Sequence, residues 1–276
     1  MRVNTISSTE DAELLVCKAG RGDYYDGYID DVSYLDIMEP VTFKDQHVEG
    51  LPNLLAPLED STAYRVDQQV DAYLDSDDSE LDDVTLVEVK TRAFIETQLS
   101  RGHFGLWEHP QITFAIEGVS RSLMAQLTRH RHLTFDIQSM RYANFSDADV
   151  VVPASIRSKE HMSRETGLVE LSDSMQAYLR DVYEDAVSLS FDAYDELVQH
   201  GVPKEDARMV LPIGTRVNIT VSGNAREFLH LLSIRGKADA QWEIRELAAE
   251  LEKQLYQWMP YTVNWFRNNR PHSLSP

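Results

Sequence analysis

Three arginines and two histidines fall within the thirteen residues RHRHLTFDIQSMR, positions 129–141, of a chain whose formal net charge is −20. Such a gathering of positive charge needs a reason. A helix ending here would place Gln126 and Arg129, three apart, on one face. Arg129 and Arg131, two apart, would diverge, so one helix end could serve two ligands. Basic residues also suit a helix C-terminus for electrostatic reasons, which accounts for one or two charges. It does not account for Ser139 and Arg141, which follow on an expected loop. Guanidinium forks and hydroxyls together suit phosphate, so an anion site is one reading and a plain helix end the other. A metal site is disfavoured: His130 and His132 do not converge on a helix, and Asp136 is the only nearby carboxylate.

Other chemistries lack their residues. The chain has no G-x-G-x-x-G, no Walker A loop and no G-x-S-x-G elbow, and Cys17 has no neighbouring histidine. Three further segments carry candidates. RGHFGLWEHP holds His103, Glu108 and His109 just before a strand-like run. GVPKEDARMVLP holds Arg208, which alone reads as a surface charge. GNAREFLHLLSIRGKADAQWE puts Arg226 and His230 four apart on one helix face, with Arg235 at the end of an apolar helix, where an arginine calls for an anionic or carbonyl partner.

The elements that must position these groups follow from periodicity. QITFAIEGV reads as a strand, and SRSLMAQLTRHR as a helix with Ser120 as N-cap. TRVNITVSG alternates Val217, Ile219 and Val221 with polar neighbours and reads as a half-buried strand. Asn224 opens one helix, and DAQWEIRELAAELEKQLYQWM is a last long one. Residues 161–200 read as helical throughout, closed by His200-Gly201, and Pro203 starts a short helix. AELLVC and DADVVVPASI look strand-like, and VTLVEVKTRAFIETQLS looks mixed. With no βαβ rhythm, the expected class is α+β with a largely antiparallel sheet flanked by long helices. Residues 84–276 form the expected catalytic region. Residues 1–83 precede it and include an acidic connector, 57–83, with the two parts making one compact domain.

Composition bounds the partners. With 46 acidic against 26 basic residues, nucleic acid and anionic membranes are repelled. No apolar run approaches the roughly 20 residues of a membrane span. The N-terminus lacks a signal peptide, and a lone cysteine cannot form an internal disulfide, so a cytoplasmic location is expected. The acidity reads either as that of a generic acidic cytosolic protein or as salt adaptation, which the aspartate-rich, lysine-poor usage favours; neither reading concerns an activity.

RHR, seven residues, then serine resembles the signature of the flavin-dependent thymidylate synthases. GHFGLWEH, Q-x-x-RHR, GVPKEDARMVLP and NAREFLHLLSIRGKADAQWEI also resemble that family's segments, in the same order, over residues 100–250. The resemblance implies an α+β homotetramer with shared active sites, binding FAD. It implies methylation of dUMP to dTMP, with 5,10-methylenetetrahydrofolate as one-carbon donor, NADPH as reductant and no cysteine nucleophile. Carried over by position, Arg129, His130 and Arg131 would contact FAD, with Arg129 also reaching the nucleotide. Gln126 would touch dUMP. Ile137, Gln138, Ser139, Met140 and Arg141 would form the nucleotide loop, Ile137 also touching the flavin and Ser139 and Arg141 lying near the phosphate. Arg208 would reach the phosphate from another chain. Asn224, Arg226 and His230 would lie along FAD. Arg235 would stabilise negative charge on the activated uracil ring. His103 would lie near flavin and folate, supported by Glu108. Ser139 is grouped with Arg235 and His103 at the reacting centre, with a binding role because no base stands beside it.

Thr134, Met140, His230 and Asp239 depart from residues common in the family, which bears on the flavin contacts rather than the reaction. Two other readings stand beside this one. The chain could be a flavin-free nucleotide-binding or nucleotide-hydrolysing protein that keeps an arginine phosphate site, or a tetrameric scaffold with an anion-binding cluster.

Overall fold

Hydrogen bonding, with period-two burial in its long strands, assembles a four-stranded sheet. In the computed structural model, which describes residues 1–22, 83–163 and 165–269, the elements run as follows. Strand β1 (Arg2–Ser8) leads into α1 (Ala12–Gly22). Helix α2 (Asp83–Ser100) precedes a 3-10 turn (Phe104–Glu108), strand β2 (Gln111–Ser120), helix α3 (Arg121–Leu127) and strand β3 (Thr134–Ile137). A short helix α4 (Ala154–Arg157) and a hairpin of β4 (Glu160–Ser163) and β5 (Gly167–Glu170) come before the long helix α5 (Asp173–Gln199). Helix α6 (Lys204–Ala207) runs into a 3-10 turn at Arg208–Val210, followed by β6 (Arg216–Asn224), α7 (Ala225–Arg235), α8 (Trp242–Trp258) and α9 (Pro260–Asn269). The sheet order is β1-β2-β6-β3, with β3 antiparallel to β6 in the register Thr134↔Ser222 to Ile137↔Ile219. The α+β class expected from the sequence is observed. The acidic connector lies outside the described residues, apart from Asp83 at the start of α2.

Two units pack separately. The first takes Met1–Ile6, Thr113–Ser222 and Ile234–Glu250; the second takes, of the described residues, 7–22, 83–112, 223–233 and 251–269. In the first, β2 buries Phe114 and Ile116 and β6 buries Val217, Ile219 and Val221 on alternate positions. Gly118 has φ +71°, a conformation that a side chain disfavours. After it the alternation slips, so Val119 and Ser120 are both buried and the strand feeds directly into α3.

The second unit is held by a buried polar network. Glu13 on α1 accepts the Thr262 N–H at 2.7 Å, and the Trp107 indole N–H donates to Thr262 Oγ1 at 3.0 Å. Both Glu13 and Thr262 are buried. Burial lifts the Glu13 carboxyl pKa to about 7, against hydrogen bonds from Thr262 and Tyr261 that pull it down. A Cβ on Gly20 would meet Phe94 Cζ at 2.7 Å and Leu106 Cδ1 at 2.8 Å, so α1 packs closely against α2 and the 3-10 turn only because that position has no side chain.

Several local expectations are corrected. AELLVC is helical: its buried positions 12, 13, 16 and 17 follow a helix face, not a strand. VTLVEVKTRAFIETQLS is one helix. Lys90, Thr91, Ala93, Phe94, Ile95, Thr97, Gln98 and Leu99 are all buried, so no polar face marks its period. DADVVVPASI contributes a single bridge, Val150↔Thr215, before α4. The helical span read from residue 161 begins only at Asp173, and the hairpin occupies the preceding stretch. The closing helix is followed by α9, which was not anticipated. The expected end at His200-Gly201 holds: Gly201 has φ +86°, its N–H reaches Val198 O and that of Val202 reaches Leu197 O.

Candidate active site

Helix α3 carries the centre of the basic cluster, and it is only seven residues long. Too short to persist alone, it is pinned at its start. Ser120, the N-cap, accepts the Leu123 N–H at 2.9 Å as expected. The Arg121 N–H goes to Thr215 O and the Ser122 N–H to Ile213 O. The Ser120 N–H and hydroxyl both go to the carboxylate of Glu243, at 2.8 and 2.5 Å. Every amide that a helix start leaves unpaired here has a partner.

At its other end α3 stops sooner than the sequence reading placed it. Thr128 is the C-cap, so Arg129, His130 and Arg131 lie in the following turn rather than on the helix. Arg235, the last residue of α7, is held against this turn. Its Nε donates to His130 Nε2 at 3.0 Å and its Nη2 to the Gln126 carbonyl at 3.2 Å. The carbonyl partner expected for Arg235 is therefore Gln126. His130 is buried while Arg129 and Arg131 are exposed. An imidazole that accepts at Nε2 carries its proton at Nδ1 when neutral. Burial, and secondly the charge of Arg129, pull the Arg235 pKa below its ordinary value. A guanidinium stays protonated regardless; the shift marks a cation short of negative charge.

The loop after β3 is anchored by its own residues. The Arg141 N–H donates to Ser139 Oγ at 3.2 Å. Met140 is buried, so its side chain anchors the loop. Gln138 extends the ladder, giving its N–H to Asn218 O and accepting the Asn218 N–H at Oε1. Arg141 Nε pairs with Glu205 Oε2 at 2.7 Å, and Arg208 Nε donates to Glu205 O at 2.9 Å. The two phosphate candidates thus meet at one residue of the same chain.

Arg121 was missed by the sequence reading. It sits at the first position of α3, where the helix dipole disfavours a cation. Its side chain has no hydrogen-bond or ion-pair partner among the described residues, and its pKa is lowered by burial and then by the charge of Arg208. An arginine so placed in a chain this acidic is short of an anion. The signal in sequence was faint: a basic residue directly after an N-cap serine.

In the second unit, His103 stands at the start of the 3-10 turn without a capping hydrogen bond from its side chain and is exposed; its N–H donates to Gln98 O at 3.0 Å. Glu108 accepts a hydrogen bond from Arg226 Nη1. Asn224 Oδ1 accepts the Glu227 N–H at 2.9 Å, so its side chain caps α7. His230 lies one turn beyond Arg226, on the same face of α7. Among the described residues no group of three or more His, Cys, Asp or Glu could hold a metal ion, and no helix is long and apolar enough to cross a membrane.

The family described as Thymidylate synthase complementing protein matches residues 59–261. The flavin-dependent thymidylate synthase of Haloarcula marismortui is 36% identical over the full length of both chains, and that of Halobacterium salinarum 37%. The chain belongs to the flavin-dependent thymidylate synthase family. A further member, from Geobacter sulfurreducens, is 40% identical over 58% of this chain and 62% of its own. Among solved structures, the UMP/dUMP methylase PolB of Streptomyces cacaoi, bound with 5-Br dUMP, superposes with a TM-score of 0.66 at 22% identity, covering 97% of this chain and 94% of that one. The fold shared with that structure extends over nearly the whole chain. As a flavin-dependent thymidylate synthase, the chain must bind anions with a surface that is otherwise acidic. Arg121, Arg129, Arg131, Arg141 and Arg208 are among the cations of the first unit that could do so.

Proposed function

We propose that this chain methylates dUMP to dTMP, taking the one-carbon unit from 5,10-methylenetetrahydrofolate and using FAD reduced by NADPH. The observation that carries the reading is the convergence of Arg235 on Gln126 and His130 in the turn that also bears Arg129 and Arg131.

The donor set fits a flavin dinucleotide. Exposed guanidiniums at Arg129 and Arg131 flank a buried, oriented imidazole, and guanidinium forks match a pyrophosphate. Arg129, His130 and Arg131 would hold it; when bound, it supplies the electron transfer that no side chain here can provide. In the second unit, Asn224 fixes the start of α7, the helix that carries Arg226 and His230. Arg141 and Arg208, joined by Arg121, bind the phosphate of dUMP, and Ser139 shapes the loop that presents Arg141. Gln126 lies beside the uracil. Uracil C5 attacks weakly unless electron density in the ring rises, and the Arg235 guanidinium stabilises the negative charge that then develops. Holding that guanidinium through His130 and Gln126 fixes it before substrate arrives, so little reorganisation is needed. In the second unit His103 is exposed and free to meet a ligand.

Assembly follows from the surface. Met175, Tyr178, Val182 and Leu189 form an exposed apolar stripe along α5, which a second copy of the chain covers in a homotetramer. The charge of −20 and the full-length relatives from Haloarcula and Halobacterium support a salt-adapted cytoplasmic enzyme. The test is tritium release from [5-3H]dUMP with NADPH and methylenetetrahydrofolate supplied. Release that depends on FAD is expected; a colourless protein that takes up no FAD and releases no tritium would refute the reading.

A further inference from the structure

We infer that Glu243 is a positioning residue for the nucleotide and flavin contacts of α3, an inference that rests on the function proposed above. Glu243 is 2% exposed, and a carboxylate is expensive to bury unless it is well used. Among the described residues its carboxylate bonds to Ser120 alone. One oxygen takes the Ser120 N–H and the other takes the Ser120 hydroxyl. The hydroxyl in turn accepts the Leu123 N–H. A continuous chain thus runs from the Glu243 carboxylate through Ser120 Oγ into the first turn of α3. Glu243 is itself fixed, because Gln241 Oε1 accepts the backbone N–H groups of Glu243 and Ile244 at the start of α8.

An ordinary N-cap serine needs only its oxygen lone pair to stabilise a helix. The added carboxylate does something else: it sets where the helix begins and how it is rotated. Helix α3 is roughly 10 Å long at 1.5 Å per residue, so a shift at Ser120 is transmitted without loss to Gln126. Arg235 grips the far end at the Gln126 carbonyl and at His130. Both grips come from the same stretch, the end of α7 and the start of α8. The α3 helix, with Arg121 at its start and Gln126 near its end, leading into the turn of Arg129 to Arg131, is therefore held like a bar between two fixed points. A misplacement of about 1 Å can cost on the order of a hundredfold in rate, which gives such a clamp its value.

The test uses the full-length chain with Glu243→Gln, Ser120→Ala and Ser120→Thr. Glutamine keeps an acceptor for the Ser120 N–H but turns a donor toward its hydroxyl; threonine keeps the hydroxyl. KM for dUMP and the dissociation constant of FAD are expected to rise about tenfold in Glu243→Gln and Ser120→Ala, with kcat changed less and the thermal midpoint within a few degrees of wild type. Ser120→Thr restores both. Their double variant is no worse than either single one, because the two residues act as a unit. Loss of thermal stability with KM and FAD affinity unchanged would make the clamp a mere packing device and overturn the inference; so would variants indistinguishable from wild type. If Glu243→Gln does not fold, the Ser120 pair decides: equal KM values for alanine and threonine overturn it. Wild type that binds neither dUMP nor FAD defeats the proposed function itself, an outcome distinct from normal wild-type binding with unaffected variants.

Discussion

Glu13→Gln isolates a charge that the fold accommodates at a cost. The wild-type carboxyl is 7% exposed and its pKa is lifted from 4.5 to about 7, chiefly by burial. No basic side chain pairs with it among the described residues. The folded state therefore holds the proton more tightly than the unfolded state does. Between pH 4.5 and about 7 the unfolded chain has lost this proton while the folded chain still keeps it. Stability then falls as pH rises through that window and levels off above it. The full contribution is about 3–4 kcal/mol, from a shift of about 2.5 pKa units at about 1.4 kcal/mol each. Glutamine keeps an acceptor for the Thr262 N–H and never ionises. Urea denaturation at constant ionic strength should find wild type and Glu13→Gln about equally stable near pH 5. At pH 8.5 the variant should be more stable by about 1–3 kcal/mol. A difference that does not grow with pH, or a variant less stable at pH 8.5, would refute the reasoning. The network reaches Trp107, so the same experiment probes what fixes the 3-10 turn behind His103.

Two further perturbations test the first unit. Arg235→Lys leaves a single ammonium where two contacts are made, to His130 and to Gln126; tritium release should fall about a hundredfold or more, and flavin retention on gel filtration should weaken because His130 loses its anchor. Arg121→Ala should separate stability from binding. It relieves repulsion from Arg208 and removes a cation from a helix start, so the thermal midpoint holds or rises, by the equivalent of roughly 0.3–1 kcal/mol, while KM for dUMP rises about tenfold; a midpoint that falls with KM unchanged would show a structural role instead.

What the sequence revealed was local, and what it concealed was made by distant partners. The Ser120 cap, the β6 alternation and the Gly201 stop are each written within a few residues, and each is present in the structure. Helix α2 escaped because burial on all sides erases the polar face that reveals a period. The β4–β5 hairpin escaped because its strands bury nothing fully and so carry no apolar rhythm. At the site, the arginine-rich turn was legible by type and spacing. Arg121 was not, since its meaning depends on Arg208 far along the chain. Glu243 was likewise silent: one more acid at the start of an amphipathic helix, until Ser120 is seen against it.

The two longest helices among the described residues divide the molecule's burdens. Almost every described side chain of α2 from Lys90 to Leu99 is buried, so a new charge there would be a lesion in the interior. Helix α5 buries only Tyr194 completely and displays Asp173, Asp181, Glu184, Asp185, Asp192 and Glu196 to solvent. A lineage moving between fresh and salt water could rewrite the charge of α5 residue by residue and leave α2 untouched. Adaptation to the medium and preservation of the fold thus draw on different parts of the chain.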